Sequence, residues 1–300
     1  MRRFLLIPHL NIHNANALSS PYTIGFPAMT AWLGAVHALQ RQVHQQGLST
    51  VQFTGTAVSC HQFDLQTYKG EGDFVHSIIG TANPLDKNGA RPAFIEEARC
   101  HLEVSLLIEY QGLGMDDWDR FEQIVNDHLH QMKFAGGDVL PEKFKSVERL
   151  IMDENDDQDI KKILRKLMLG HVLIERRDLM KKSMQAEDKD ALEALLDHLK
   201  VMHRANQDNE GKVRWTSSRK EQGWIVPIAV GFQGISDLGM AKNQRDLQTQ
   251  HRFAESVVTL GQFIMPYRIT NVDDMLWHYH IDLEQNLYLC QTRSSSTTLI

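Results

Sequence analysis

The run His278-Tyr279-His280-Ile281-Asp282 sets two imidazoles and a carboxylate at alternate positions, so on a strand all three leave the same face. Such a set could share a metal ion, with the carboxylate orienting or bridging, and it partly matches the His-x-His-x-Asp-His run of binuclear metallo-hydrolases. Residue 283, which would complete that run, is Leu, and little chain follows to supply further ligands. A metal-dependent nuclease or hydrolase built on His278, His280 and Asp282 therefore stands as the alternative reading of function. His128-Leu129-His130 falls in a helical pattern, where residues two apart point to different sides and do not ligate jointly. The chain contains no HExxH, no GxSxG and no GxxxxGK[ST], so those routes to metal, serine or phosphate-loop chemistry are closed.

A second constellation is uncharged. Asn14, Asn16, Ser19 and Ser20 crowd into the stretch Asn11-Ile12-His13-Asn14-Ala15-Asn16-Ala17-Leu18-Ser19-Ser20-Pro21, where their side chains could read base edges or ribose hydroxyls. The competing reading is a polar loop bonded to itself through Asx and related turns. His13, His61 and His101 could stack on bases or serve structure. Gly136-Gly137 follows a predicted helix; its amides could meet a phosphate where a side chain would clash, or the pair could be a helix C-cap.

Charge patterning separates these residues from the rest of the chain. The first 63 residues hold no Asp or Glu, although the 300-residue chain has 38 and is net −6; a uniform spread would put 38/300 × 63, about eight, there. The other 237 residues carry 29 Lys+Arg against all 38 acids, a net of −9. A protein that neutralised many phosphates would be basic overall. Any nucleic acid here should instead meet a restricted patch that works by hydrogen bonding and stacking, which suits single-stranded RNA better than duplex DNA. The simpler explanation is that the acid-free segment forms buried strands and a buried helix.

An apolar fraction of 42% and a charged fraction of 23% describe a globular chain of one large or two modest domains. Cys60, Cys100 and Cys290 are isolated, with no CxxC pair, which suits a reducing compartment and leaves no four-Cys zinc site. Arg2-Arg3 before Phe4-Leu5-Leu6-Ile7 mimics a secretory signal, but the apolar run ends at Pro8-His9, short of an h-region. No run is long enough to span a bilayer. The expectation is a cytoplasmic protein with no membrane contact and no cofactor.

Periodicity predicts the elements that would position these residues. A short buried strand is expected over 4–8, then a loop of nearly twenty residues, then a helix over 27–46 with Pro27 in its first turn and Trp32, Leu33, Val36 and Leu39 on its apolar side. Strands are expected over 51–63 and 98–110, the latter with a core face of Cys100, Leu102, Val104, Leu106, Ile108 and Tyr110 and a wet face opposite. Between them, 66–96 reads as an extended hairpin or arm, given Gly70, Gly72, Gly80, Pro84, Gly89 and Pro92. A helix over 116–133 ends at the glycine pair. The order β-α-β, insertion, β-α is the split βαβ pattern of an α+β, ferredoxin-like domain, with a candidate fourth strand over 224–232. Residues 145–210 read as a helical region, with apolar stripes Ile160, Ile163, Leu164, Leu167, Met168 and Leu192, Leu195, Leu196, Leu199, the second helix spanning 187–204 before a polar linker over 206–212. The resulting division is 1–144, 145–210 and 211–300, the last completing the first.

Several motifs together resemble one family. They are Asn14-Ala15-Asn16-Ala17-Leu18-Ser19-Ser20-Pro21, Gly25-Phe26-Pro27, Val36-His37-Ala38-Leu39-Gln40-Arg41, Cys60-His61-Gln62-Phe63, Asn83-Pro84-Leu85, the stretch from Glu96 to Leu107, Ala135-Gly136-Gly137 with Leu140-Pro141, and Gly223-Trp224-Ile225-Val226-Pro227-Ile228. In order from residue 4 to about 280, they are similar to the second Csy subunits, the Cas-five group of the RAMP superfamily, found in the type I-F CRISPR surveillance complex. The resemblance implies an RRM-like, non-catalytic, RNA-binding subunit with a thumb at 66–96. It would pair with the large subunit, hold the 5′ handle of the CRISPR RNA, abut the first copy of the helical backbone subunit, and serve recognition of foreign DNA only indirectly. The resemblance implies handle contacts at Asn14, Asn16, Ser19, Ser20, Gly136 and Gly137, with Arg41, His61, Arg99 and His101 as further candidates, and it implies no catalytic and no metal-binding residue.

Overall fold

Phe4 to Pro8 form the most deeply buried stretch of the first strand, yet that strand, β1, runs on to span Arg2–Asn16. The computed structural model describes residues 1–79, 85–91, 97–141, 145–207 and 211–293. After β1 come the small hairpin β2 (Leu18–Ser20) and β3 (Thr23–Ile24), α1 (Met29–Gln45), β4 (Gln52–Leu65), β5 (Thr67–Tyr68), β6 (Ser77–Ile78), β7 (Arg99–Gln111), α2 (Trp118–Leu129), and the tight hairpin β8 (Lys133–Phe134) and β9 (Gly137–Val139). The second half holds β10 (Glu148–Met152), α3 (Asp157–Lys166), β11 (His171–Glu175), α4 (Arg177–Glu187), α5 (Ala191–Leu199), β12 (Met202–Gln207), β13 (Val213–Ser218), β14 (Trp224–Gly234), β15 (Ala254–Ile264), β16 (Trp277–Asp282) and β17 (Leu287–Thr292).

One large antiparallel sheet carries the fold, in the order β11-β15-β14-β17-β16-β4-β7-β1-β9-β8, with β10 also paired to β1. The chain is thus α+β. On one face, the even residues of β7 from Cys100 to Tyr110 pack with Leu5, Ile7 and Ile12 of β1 under α1 and α2, where Trp32, Leu39, Phe121 and Leu129 are buried. Each such side chain contributes roughly 1.5–3 kcal/mol of burial. On the other face, Phe4, Leu6, Ala57 and Leu107 meet Ile163 and Leu164 of α3 and Ile174 of β11. Among the described residues, no helix is long and apolar enough to cross a membrane.

Several expectations need correction. The loop foreseen after residue 8 is mostly strand: two bulges, between Ile7 and Leu10 and between Ile12 and Ala15, let β1 continue against β7, and the irregular hydrophobic period there hid the strand. Asn14 and Asn16 therefore lie at the end of β1, and Ser19 and Ser20 on β2. Pro27 precedes α1, whose N-cap is Ala28. α2 stops at Leu129, so the glycine pair does not cap a helix but joins β8 to β9. The wet face expected for β7 exists only at its first half: Leu107 is buried in the second core, Ser105 against His9 and His61, and Glu109 in an ion-pair network with Arg2 and Arg293. The candidate fourth strand forms as β14, but it pairs with β15 and β17, while β9 and β10 take the place beside β1.

Within 145–210, β10 and β11 join the large sheet between the helices. The helix expected over 187–204 is only Ala191–Leu199, and residues 202–207 are strand. Leu192 and Leu196 are exposed, and the buried positions of α5 are Ala194 and His198, so its leucine pattern is not a single core stripe. In the expected arm, β5 pairs with β6, and Phe74 at the tip is 98% exposed. Gly80, Pro84 and Pro92, used in that expectation, lie outside the described residues, as do Asn83 and Glu96.

Candidate nucleic-acid interface

The second bulge of β1 shapes this region. Asn14 takes φ = 61°, a left-handed conformation that asparagine tolerates better than most residues. Ala15 and Ala17 stay in the core while His13, Asn14 and Asn16 are exposed. The Asn16 amide donates to the Ala135 carbonyl at 2.8 Å, tying the strand end to the β8–β9 turn. In that turn Ala135 and Gly136 have φ of 48° and 77°, the two positive values of a type I′ hairpin. Gly137 has a different role: a Cβ there would lie 2.7 Å from Ile12 Cγ2 and 2.8 Å from both the Ala15 nitrogen and the His13 oxygen. Only hydrogen fits between the hairpin and β1.

Asn16, Ser19, Lys133, Ala135 and Gly136 line one side of a cleft of about 360 Å³, and Pro27, Ala28, Ala31, Gly34, Ala35 and Ala38 line the other. None of the eleven is acidic. Small residues at helical spacing let a ligand come close to the α1 backbone, and Arg41 sits one turn beyond Ala38 along the same helix face. Lys133 is ion-paired to Asp138, which leaves the rim close to neutral. The serines and Asn16 also bond locally. Asn16 Nδ2 donates to the Leu18 carbonyl at 3.1 Å and its Oδ1 accepts from the Leu18 amide at 3.0 Å. Ser19 and Ser20 hydroxyls lie 2.9 and 2.7 Å from Thr23 Oγ1, and Ser20 is buried. The self-bonded reading of this stretch therefore holds for Ser20 in full. Asn16 and Ser19 remain on the cleft wall, with a spare amide hydrogen and spare lone pairs.

The odd residues of β7 put a second set of candidates on the opposite sheet face. His101 stacks on His13 with ring centroids 4.3 Å apart, and its Nδ1 accepts the Asn14 amide at 3.0 Å. Next along the row, His61 stacks on His9, also at 4.3 Å, and its Nε2 lies 2.7 Å from Ser105 Oγ, which accepts the His9 amide. His9 Nδ1 meets Glu103 at 2.6 Å. Burial, then the neighbouring His9, push the His61 imidazole down to about 4. Arg99 stands across from Asn16 in register and pairs with Glu97. The predicted residues thus divide in two: Asn16, Ser19 and Gly136 line the cleft, with Arg41 by continuation, whereas Asn14, His101 and His61 follow the histidine row, with Arg99 beside Asn16 at the border between them. Gly137 braces the turn, and Ser20 braces β2.

The HxHxD run does not form a metal centre. Among the described residues, no group of three His, Cys, Asp or Glu side chains converges to hold an ion. Asp282 Oδ1 is spent on the β16–β17 turn, accepting from the Glu284 and Gln285 amides at 3.0 Å. Burial, then Arg293 and Arg177, lower the basicity of His278; the same two guanidinium groups would repel a cation. Burial pushes the thiols of Cys60, Cys100 and Cys290 up to about 12, which leaves none as a thiolate nucleophile near neutral pH.

Comparison with known proteins settles the family. The family model described as "CRISPR-associated protein (Cas_Csy2)" matches residues 5–290. The chain is 35% identical to "CRISPR-associated protein Csy2" of Pseudomonas aeruginosa (strain UCBPP-PA14), the alignment covering 96% of this chain and 94% of that protein. This chain belongs to the Csy2 family. It is accordingly a CRISPR-associated protein of the type I-F system, and the family match spans both the strand-end cleft and the histidine row.

Three features of this Csy2-family chain escaped the sequence reading: Lys133 on the cleft rim, His9 beneath His61, and the small face of α1. The last had a legible signal, since Ala28, Ala31, Gly34, Ala35 and Ala38 recur at three- and four-residue steps. His9 had none, because its place depends on the first bulge.

Proposed function

We propose that this chain is a non-catalytic, RNA-holding subunit of the type I-F surveillance complex, seating the 5′ handle of the CRISPR RNA at the end of β1. The observation that carries the reading is the cleft in which Asn16, Ser19 and Gly136 come together with Lys133 and no acidic residue among those lining it, the Asp138 partner of Lys133 standing outside the lining. A phosphate could approach the glycine turn, while ribose and base edges meet Asn16 and Ser19. On the opposite face, Asn14 and the His13–His101 stack offer a polar, aromatic continuation for a strand that wraps the sheet end. The family, the antiparallel core order β4-β7-β1 with helices α1 and α2 on one face, and the exposed β5–β6 arm support a ferredoxin-like RAMP scaffold with a thumb. In this reading the chain is cytoplasmic, pairs with the large subunit, abuts the first backbone subunit, and serves DNA recognition through the complex.

The test is fluorescence anisotropy with handle RNA, using the purified chain with its large subunit. Asn14→Ala combined with Asn16→Ala should weaken binding about 5- to 160-fold, from two lost hydrogen bonds of about 0.5–1.5 kcal/mol each, with a shallow salt dependence. Unchanged affinity in the double variant together with a steep salt dependence would contradict the assignment.

A further inference from the structure

β12 and β13 form a two-stranded ribbon that belongs to no larger sheet, and all twelve of its residues are exposed. Isolated ribbons of this kind gain little stability in water, so both faces stand open to a partner. Its charge is opposite to that of the molecule. Residues 200–207 and 211–220 contain Lys200, Arg204, Lys212, Arg214, Arg219 and Lys220 and no carboxylate; counting Asp208 and Glu210 as well, the sequence 200–220 sums to 6 − 2 = +4 in a chain of net −6.

The base of the ribbon is fixed. Lys220 meets Glu187 at 2.5 Å and Asp197 at 3.0 Å, and Lys200 also pairs with Asp197. Beyond that base, the register Met202↔Ser218, Arg204↔Thr216 and Asn206↔Arg214 puts two arginines diagonally on one face, beside Met202, Asn206, Thr216 and Ser218. Among the described residues of this face no acid lies between the two guanidinium groups, so an anion bound there would meet both. The other face carries Trp215, 70% exposed, with Val213 and Ala205.

We propose that the β12–β13 ribbon docks on double-stranded DNA. The major groove of B-DNA, about 12 Å wide, admits a two-stranded ribbon and lines both its faces with backbone, whereas the A-form RNA groove is too deep and narrow. Six residues of strand span roughly 20 Å, enough to follow the groove, with Arg204 and Arg214 meeting phosphates. The proposal uses none of the cleft residues, so it stands or falls apart from the handle assignment.

The experiment measures anisotropy of the full-length chain with a short mixed-sequence DNA duplex and, separately, with handle RNA, each over a salt series. Arg204→Ala with Arg214→Ala should lower the magnitude of the log–log salt slope for duplex DNA by about 1.8, or 2 × 0.9, and leave handle RNA binding unchanged. Arg204→Lys with Arg214→Lys should restore the slope, and an unchanged thermal midpoint checks folding in both. Absence of duplex binding by the wild type, or an unaltered slope in the Ala variant, would overturn the proposal. So would a parallel loss of RNA binding, which would assign the ribbon to RNA. Failure of the Ala variant to assemble with partner subunits, with duplex binding intact, would make the ribbon a protein interface instead.

Discussion

At its first turn into the sheet, β1 carries Arg2, whose guanidinium meets Glu109 at 2.6 Å and Asp273 at 2.9 Å, and Arg293 closes the network on the same carboxylates. At its last residues the same strand presents His13, Asn14 and Asn16, held by a stacked imidazole, a ring nitrogen and main-chain carbonyls and amides. One end is charged and internally compensated; the other is uncharged and open. A ligand arriving at the first end would have to break desolvated ion pairs, whereas at the second it meets groups with unused hydrogen-bonding capacity. The contrast favours the open end over the charged end for the proposed handle site without any appeal to net charge.

The sharpest way to break this comparison is to remove charge from the compensated end. Burial alone would raise the Glu109 carboxyl, but hydrogen bonds from Arg2 and Thr54, with the charges of Arg2 and Arg293, hold it below the ordinary carboxylate range. Glu109→Gln leaves two partly buried guanidinium groups short of a partner and should cost about 3 kcal/mol in urea unfolding at neutral pH, while handle binding by the folded fraction stays the same. A cost under 1 kcal/mol would mean that solvent already screens this network and that the two ends differ less than their contacts suggest.

At the open end the largest effect should come from the hairpin that abuts it. Gly137→Ala drives a methyl into the Ile12 side chain and the His13–Ala15 backbone, and overpacking of this kind should cost about 3 kcal/mol and weaken RNA binding. Gly136→Ala meets nothing within 4 Å and suffers only its left-handed φ, about 1.5 kcal/mol. Thermal unfolding of the two variants separates close approach from turn strain, and equal losses would show that the turn alone matters.

What the sequence made legible follows from what local periodicity can carry. α1, β4 and β7 were readable because Trp32, Val36 and Leu39, and Cys100 through Tyr110, repeat at the period of their own element. The end of β1 was not, since each bulge shifts the period by one residue and made a continuous strand look like a loop. The buried odd side of β7 was equally hidden: Ser105 and Glu109 look like solvent-facing residues until His9 and His61 meet the first and Arg2 and Arg293 the second, all from distant parts of the chain. The acid-free segment bears out the reading as buried strands and a buried helix for most of its length. Its buried residues build the central strand and core helix, and its exposed ones, among them His13, Asn14, Asn16, Gly34 and Arg41, contribute no carboxylate of their own to the surface. Asn16 and Ser19 could be named from sequence, but their meeting with Gly136 could not, because it depends on a backbone bond from Asn16 to Ala135.

How far the uncharged region reaches along β1 sets the smallest and most discriminating test. His61 lies inward from His13 and His101, against His9, Ser105 and Gly170, with Glu103, Lys145 and His171 as its charged or titratable neighbours. Burial, then His9, lower its pKa to about 4, so the folded chain resists a proton that the unfolded chain accepts near 6.5. A group depressed in this way contributes its full stability above about pH 6.5 and loses it as the pH falls toward 4. The unscreened difference between pH 7 and pH 5 would be about 2 kcal/mol; because the ring is only partly buried, screening should reduce it to about 1 kcal/mol. Urea midpoints at both pH values should therefore show wild type losing about 1 kcal/mol more than His61→Gln, which has no proton to gain. Identical losses would mean that His61 is already solvated like an exposed imidazole, and the neutral region would then end at the His13–His101 stack.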